Sequence, residues 1–200
     1  RLDRVNQVQV NKKVGLDFAS GLRAILRQDP NIIMVGEIRD RETAEIAIRA
    51  ALTGHLVLST LHTNDAPSAI TRLADMGIEN YLLTSSLVAV LAQRLVRVIC
   101  NQCKREERVT GTWLRSLGME IPGEEHRIVR GAGCEVCAHT GFRGRVGIFE
   151  LMEIDEEIRK QILAKAAASQ LARAARANGM RTLVEDGWRK VLAGVTTPEE

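Results

Sequence analysis

From Asp29 to Asp65 the chain reads DPNIIMVGEIRDRETAEIAIRAALTGHLVLSTLHTND, and few folds accommodate such a run. Ile32-Ile33-Met34-Val35 is a short, uninterrupted apolar stretch between Asp29-Pro30 and Gly36. Its length and flanks predict a strand buried on both faces, as in a parallel sheet. Ala44, Ile46, Ala47, Ile48, Ala51 and Leu52 then suit a well-buried helix, which Gly54 ends. Leu56-Val57-Leu58 predicts a second strand, running into Ser59-Thr60-Leu61-His62-Thr63-Asn64-Asp65. A strand–helix–strand crossover puts both polar strand ends on one edge of the sheet. Open α/β sheets bind ligands at that edge, so Glu37 and His62 are expected to face one crevice.

The flanking segments are less constrained. Val8 and Val10 alternate with polar residues, a strand signal for residues 1–11. Phe18, Leu22, Ile25 and Leu26 predict a helix over Phe18–Gln28, with Arg23 and Arg27 four residues apart on a different face. Those arginines suit a solvated edge, an anionic site or a subunit boundary. Asn64 or Asp65 can cap a helix from Ala66 to Met76, with Pro67 in its first turn and Gly77 beyond its end. Tyr81 to about Val96 is apolar almost all round and predicts a longer core helix. Phe142–Met152 reads as a glycine-rich strand, and from Glu156 onward short amphipathic helices are punctuated by Asn178-Gly179, Gly187 and Gly194.

Two hundred residues at 45% hydrophobic can bury a respectable core, roughly 70% of the unfolded surface. The net charge of +3, from 28 basic and 25 acidic residues, is too even to indicate nucleic acid. Aromatics at 3% leave little for base stacking. No apolar run approaches the ~20 residues of a membrane span, and no signal peptide opens the chain.

Four cysteines form two pairs, Cys100-Asn-Gln-Cys103 and Cys134-Glu-Val-Cys137. Each pair places two thiolates on one turn, and two such turns complete a tetrahedral S₄ zinc site. With all four positions taken by sulfur, such a metal is structural, holding an insert that would otherwise lack a core. Thirty residues lie between the pairs, with a short helix expected near Trp113–Leu117 and a turn at Pro122-Gly123. Paired CxxC motifs in an α/β protein favour metal over disulfides and a reducing compartment, with the cytosol as default. Glu37, at a strand end beside Arg39 and Arg41, suits a carboxylate that orients water or helps hold Mg²⁺; a loop glutamate paired with arginine has the same local sequence. His62, past its strand, suits a donor to a terminal phosphate, while His55 beside Gly54 suits a structural role.

The run VNQVQVNKKVGLDFASGLRAILRQDPNIIMVGEIRDRETAEIAIRAALTGHLVLSTLHTNDA resembles the ATPase core of the secretion-ATPase superfamily, and within it the assembly ATPases of type II secretion and type IV pili. Both CxxC pairs and GFRGRVGIFELM also fit the assembly-ATPase pattern. The resemblance implies a partial RecA-like P-loop NTPase core of α/β class, with a Cys₄ zinc-binding insert and a C-terminal helical subdomain. It divides the chain into residues 1–99, 100–137 and 138–200. IIMVGEIRD matches the family's Walker B element with Glu37 as the catalytic glutamate. TGHLVLSTLHTNDA matches its histidine box with His62 near the γ-phosphate. Arg23, Arg27 and Arg39 match arginines that the family places at nucleotide sites and subunit boundaries. ATP, Mg²⁺ and Zn²⁺ are the implied ligands.

By the same resemblance the expected assembly is a cytoplasmic homo-hexamer, peripheral on the inner membrane. It would power pseudopilus or pilus assembly through inner-membrane platform proteins, without nucleic acid or direct membrane insertion. Residues 1–200 contain no G-x-x-x-x-G-K-[ST] loop. The chain is therefore expected to be the C-terminal part of a longer ATPase and inactive alone. Two other readings stand beside type II secretion: a zinc-bearing interaction or nucleic-acid-binding module on a non-catalytic α/β scaffold, and a type IV pilus assembly motor. Retraction motors are a further relative, but that group generally lacks the tetracysteine insert.

Overall fold

The computed structural model of the chain describes residues 3–119 and 122–200. In chain order the elements are α1 (Phe18–Leu26), β1 (Ile32–Val35), α2 (Arg41–Leu52), β2 (Leu56–Ser59), α3 (Ala66–Asp75), α4 (Asn80–Ser86), β3 (Ala89–Ile99) and β4 (Lys104–Thr110). There follow α5 (Gly111–Ser116), β5 (Glu125–Gly131), β6 (Phe142–Glu153), α6 (Glu156–Leu163), α7 (Ala168–Ala177) and α8 (Leu183–Leu192). The described residues fall into two compact units, one running to Val90 and including Met152–Ala177, the other Leu91–Leu151 with Asn178–Glu200. Among the described residues no helix is long and apolar enough to cross a membrane.

In the first unit β1 and β2 pair in parallel, with Ile32 opposite Leu56 and Val35 opposite Ser59. Helix α2 is the crossover between them, and Asp40 starts it by accepting the Thr43 N–H at 2.8 Å. Asp17 and Asp65 cap α1 and α3 in the same way, each accepting an N–H at 2.8 Å. Pairing continues past the strand ends, since the Ile38 N–H donates to Thr60 O at 3.0 Å and the Thr60 hydroxyl to Gly36 O at 2.7 Å. Elsewhere in this unit Leu83, Ile158, Ile162 and Leu171 are fully buried, where α4 packs on α6 and α6 on α7.

The strand pair departs from the sequence expectation in one respect. Ile33 and Val35 are buried, but Ile32 and Met34 are 63% and 74% exposed, and Leu56 and Leu58 are also bare. Side chains alternate across a strand, so a four-residue apolar run covers two faces. The helices of this unit cover only one.

The core helix expected over 81–96 is corrected too. Helix α4 stops at Ser86, Leu87 takes extended angles (φ −80°, ψ 133°), and β3 runs on to Ile99, pairing with β6. Val88, Val90, Val96, Val98 and Ile99 are β-branched and prefer a pleated surface. The Ser85 and Ser86 hydroxyls bond back to Tyr81 O and Leu82 O, the local competition that ends a helix. Residues 3–10 form no strand; Asn11 instead makes an isolated bridge to Leu16. Residues 1 and 2 of that expected strand lie outside the described residues.

In the second unit β4 and β5 form an antiparallel ribbon, Lys104 opposite Gly131 through Thr110 opposite Glu125. Leu114, Met119, Ile128 and Val191 make a small core, against which Val109, Trp113 and Trp188 pack. Gly187, expected as a break, lies inside α8, whose start is fixed by a Thr182–Glu185 capping box. Two acidic residues tie this helix to β6: Glu150, buried, accepts the Leu183 N–H, and Asp186 accepts the Phe149 N–H at 2.9 Å.

Asp186 also accepts from Lys190 Nζ at 2.5 Å. Burial alone would raise its acidity constant, but Lys190 and the Phe149 amide outweigh this and hold the carboxyl below the usual aspartate range. A depressed folded value stabilises the protein above the ordinary aspartate range, and that contribution is lost as pH falls through the depressed value. Asp186→Asn is therefore expected to lower the urea midpoint at pH 7 and to change it little near pH 2. Equal losses at both values would show that the charge is not the source.

Candidate functional site

Residues 36–39 follow β1 and residues 60–62 follow β2, so the parallel register sets these two loops side by side. Glu37 and His62 emerge there together: His62 Nε2 lies 3.1 Å from Glu37 Oε2. Arg39 Nε lies 2.6 Å from the same oxygen. The Arg39 guanidinium, with His62 as a smaller contributor, holds the Glu37 carboxyl below the usual glutamate range, so it is ionised at neutral pH. The Glu37 side chain is 20% exposed and the imidazole 81% exposed. This is a carboxylate anchored at a sheet edge, with a mobile-length donor standing over it in solvent. Such a group can accept a proton or orient a water.

The three arginines singled out in the sequence part company here. Only Arg39 joins Glu37. Arg23 forms an ion pair with Glu42, bridging α1 to the first turn of α2. Arg27 is exposed at the C-cap of α1. His55 Nδ1 lies 3.0 Å from Ala50 O and 3.2 Å from the Thr53 hydroxyl, closing the turn after α2.

Cys100, Cys103, Cys134 and Cys137 come together, with all four sulfurs within 4.8 Å of one another. Zinc–sulfur bonds of about 2.3 Å in a tetrahedron require sulfur separations of about 3.8 Å. The Cys100–Cys134 and Cys103–Cys137 separations are both 3.9 Å, and Cys134–Cys137 is 3.7 Å. The donor set thus fits a tetrahedral thiophilic ion. Burial raises the Cys137 thiol, but amide donors from Cys134 at 3.2 Å and Gly141 at 3.3 Å outweigh it and bring the value down to about 6. Burial dominates at Cys103 and pushes it up to about 11. Amides aimed at a sulfur favour its thiolate form, the form that ligates metal.

Sequence reasoning missed the glycines that let this cluster close. A Cβ on Gly131 would sit 2.0 Å from Gly141 O, so both backbones must approach without side chains. Gly133 adopts φ +88° and has no space for a Cβ beside His139 O. Their positions just before and after a cysteine pair were the available signal. Thr60, whose hydroxyl locks the two functional loops, was also missed; it sits in a strand-to-loop run where threonine looks unremarkable.

The profile of the family described as "Type II/IV secretion system protein" matches residues 1–200. The chain is 55% identical over 199 residues to "Type II secretion system protein E" of Pseudomonas aeruginosa, covering 100% of this chain and 39% of that relative. It is also 55% identical over 199 residues to "Type IV pilus assembly ATPase PilB" of Thermus thermophilus, covering 98% of this chain and 22% of the relative. Among solved structures, the pilus retraction motor PilT with bound ADP superposes with a TM-score of 0.61 at 29% identity, covering 92% of this chain and 42% of that one. The Legionella pneumophila ATPase DotB gives 0.62 at 24% identity, covering 98% and 45%, a likeness of fold. The chain spans well under half the length of these curated relatives.

Proposed function

The chain belongs to the type II/IV secretion system protein family, and from that premise we propose that it supplies the water-activating half of an ATP-hydrolysing motor site. The observation that carries this reading is the 3.1 Å approach of His62 Nε2 to Glu37 Oε2 at the shared edge of β1 and β2. Glu37, ionised, takes the role of orienting the attacking water, and His62 that of a donor to the γ-phosphate. Mg²⁺ bound with ATP supplies charge neutralisation on the phosphates. Arg23, Arg27 and Arg39 serve the nucleotide site or the boundary between subunits. The four cysteines hold zinc as a structural ion.

As the longer protein, the molecule assembles as a hexamer on the cytoplasmic side of the inner membrane. It drives pseudopilus or pilus assembly through platform proteins, and two relatives at equal identity leave both systems supported. Residues 1–99 then carry the nucleotide-facing elements, 100–137 the metal-bearing insert, and 138–200 the remaining strand and helices.

These 200 residues contain no G-x-x-x-x-G-K-[ST] loop, whose backbone amides and lysine cradle the phosphates. The isolated chain is therefore expected neither to bind ATP tightly nor to hydrolyse it, whereas the longer protein does both. Phosphate release from the isolated chain that Glu37→Gln abolishes would overturn this division of labour.

A further inference from the structure

Arg39 borders two acidic surroundings at once. Its Nε lies 2.6 Å from Glu37 Oε2, the oxygen that His62 also approaches. The same residue lines a cavity of about 440 Å³ together with Asp17, Phe18, Asp40, Glu42 and Thr43. Asp17 and Asp40 each spend Oδ1 on capping a helix, and Glu42 is paired with Arg23. Thr43 is 1% exposed and its Oγ1 has no hydrogen-bond partner among the described residues. Buried hydroxyls without a partner are rare, and one in the wall of an acidic cavity matches a visiting donor. The Phe18 ring adds an aromatic surface of the kind over which a guanidinium stacks.

We propose that Arg39 is a positioning residue with two seats, Glu37 and the cavity floored by Thr43. The proposal rests on Glu37 being the carboxylate that activates water. In the first seat the guanidinium occupies Oε2, the atom that would accept from water, and keeps the carboxylate a weak base. In the second seat it donates to Thr43 Oγ1 and faces Asp17 and Asp40, leaving Glu37 with His62 alone and more basic. The exposed side chain of Arg39, 66% accessible, is free to swing between them. No bond is made or broken in the exchange; only the basicity of Glu37 changes.

The test uses the 200-residue chain and no nucleotide. Carbon-detected titration of the Glu37 carboxyl is expected to move upward in Arg39→Gln and to stay depressed in Arg39→Lys, which keeps the cation. Nuclear Overhauser contacts from the Arg39 side chain are expected to reach both the His62 ring and the Thr43 methyl. Glu37→Gln is expected to weaken the former and strengthen the latter. An unchanged Glu37 midpoint in Arg39→Gln overturns the proposal, as does an Arg39 side chain without contact to Thr43 in both the native chain and Glu37→Gln. Since no ATP is present, a failure of the motor reading would appear in turnover assays and leave these spectra as they are.

Discussion

Glu37→Gln in the full-length protein that contains this segment is expected to reduce ATP turnover by about 10²–10⁴-fold, the usual contribution of a positioned general base. Glutamine keeps the size of the side chain and can still receive a hydrogen bond from His62 Nε2. It cannot carry the negative charge that Arg39 and His62 hold on the carboxylate at neutral pH. The lost interaction is one made mainly in the transition state, so kcat falls while the affinity for ATP changes little. Turnover within a few-fold of the native value would remove Glu37 from the chemistry. A parallel collapse of ATP affinity would instead point to a role in building the site, since the Arg39 and His62 contacts would then be what matters.

Removing the metal is expected to have an effect of comparable size, on folding instead of rate. The four sulfurs already stand at separations near those of a zinc tetrahedron, and two amides are aimed at Cys137. Apparent binding energies for structural zinc run to about 10–16 kcal/mol, while a whole domain is stable by about 5–15 kcal/mol. The core of the second unit is only Leu114, Met119, Ile128 and Val191 with three half-buried neighbours, so it has little to fall back on. Metal analysis of the reduced protein should find one zinc per chain. After chelation, hydrogen exchange should rise sharply over residues 100–137 and in β4 and β5, while α3, α4, α6 and α7 keep much of their protection. Cys103→Ser should behave like the chelated protein. Reduced protein without bound zinc, or chelation without any change in exchange, would show that the thiols merely pack.

The local rules of the chain were legible without coordinates wherever a single element carried the signal. Asp17, Asp40 and Asp65 cap helices where an aspartate precedes an apolar repeat. The cysteine spacing predicted a cluster that the fold assembles across a thirty-four-residue separation. Expectations failed where the same residues serve two structures equally well. Tyr81–Val96 is apolar enough for a core helix, yet its valines pair with β6 once that strand is available, and no local pattern reveals a partner some fifty residues away. Gly187 is tolerated inside α8 because neighbouring caps and packing outweigh its conformational cost, about 1 kcal/mol in a helix interior.

What the sequence alone determined is chemistry at short range: an acidic residue one step past an apolar strand, an imidazole past the next, and four thiols in two turns. Hydrophobic runs and turn residues act over a few residues, so they specify which groups leave each element's end. The tertiary structure alone decided which of those groups meet. Parallel register brought Glu37 to His62 and Arg39 while holding Arg23 on Glu42. It also left Ile32, Met34, Leu56 and Leu58 on a bare face that the composition had suggested would be buried. Burial and pairing are properties of neighbours, and neighbours distant in sequence are chosen only when the whole chain packs.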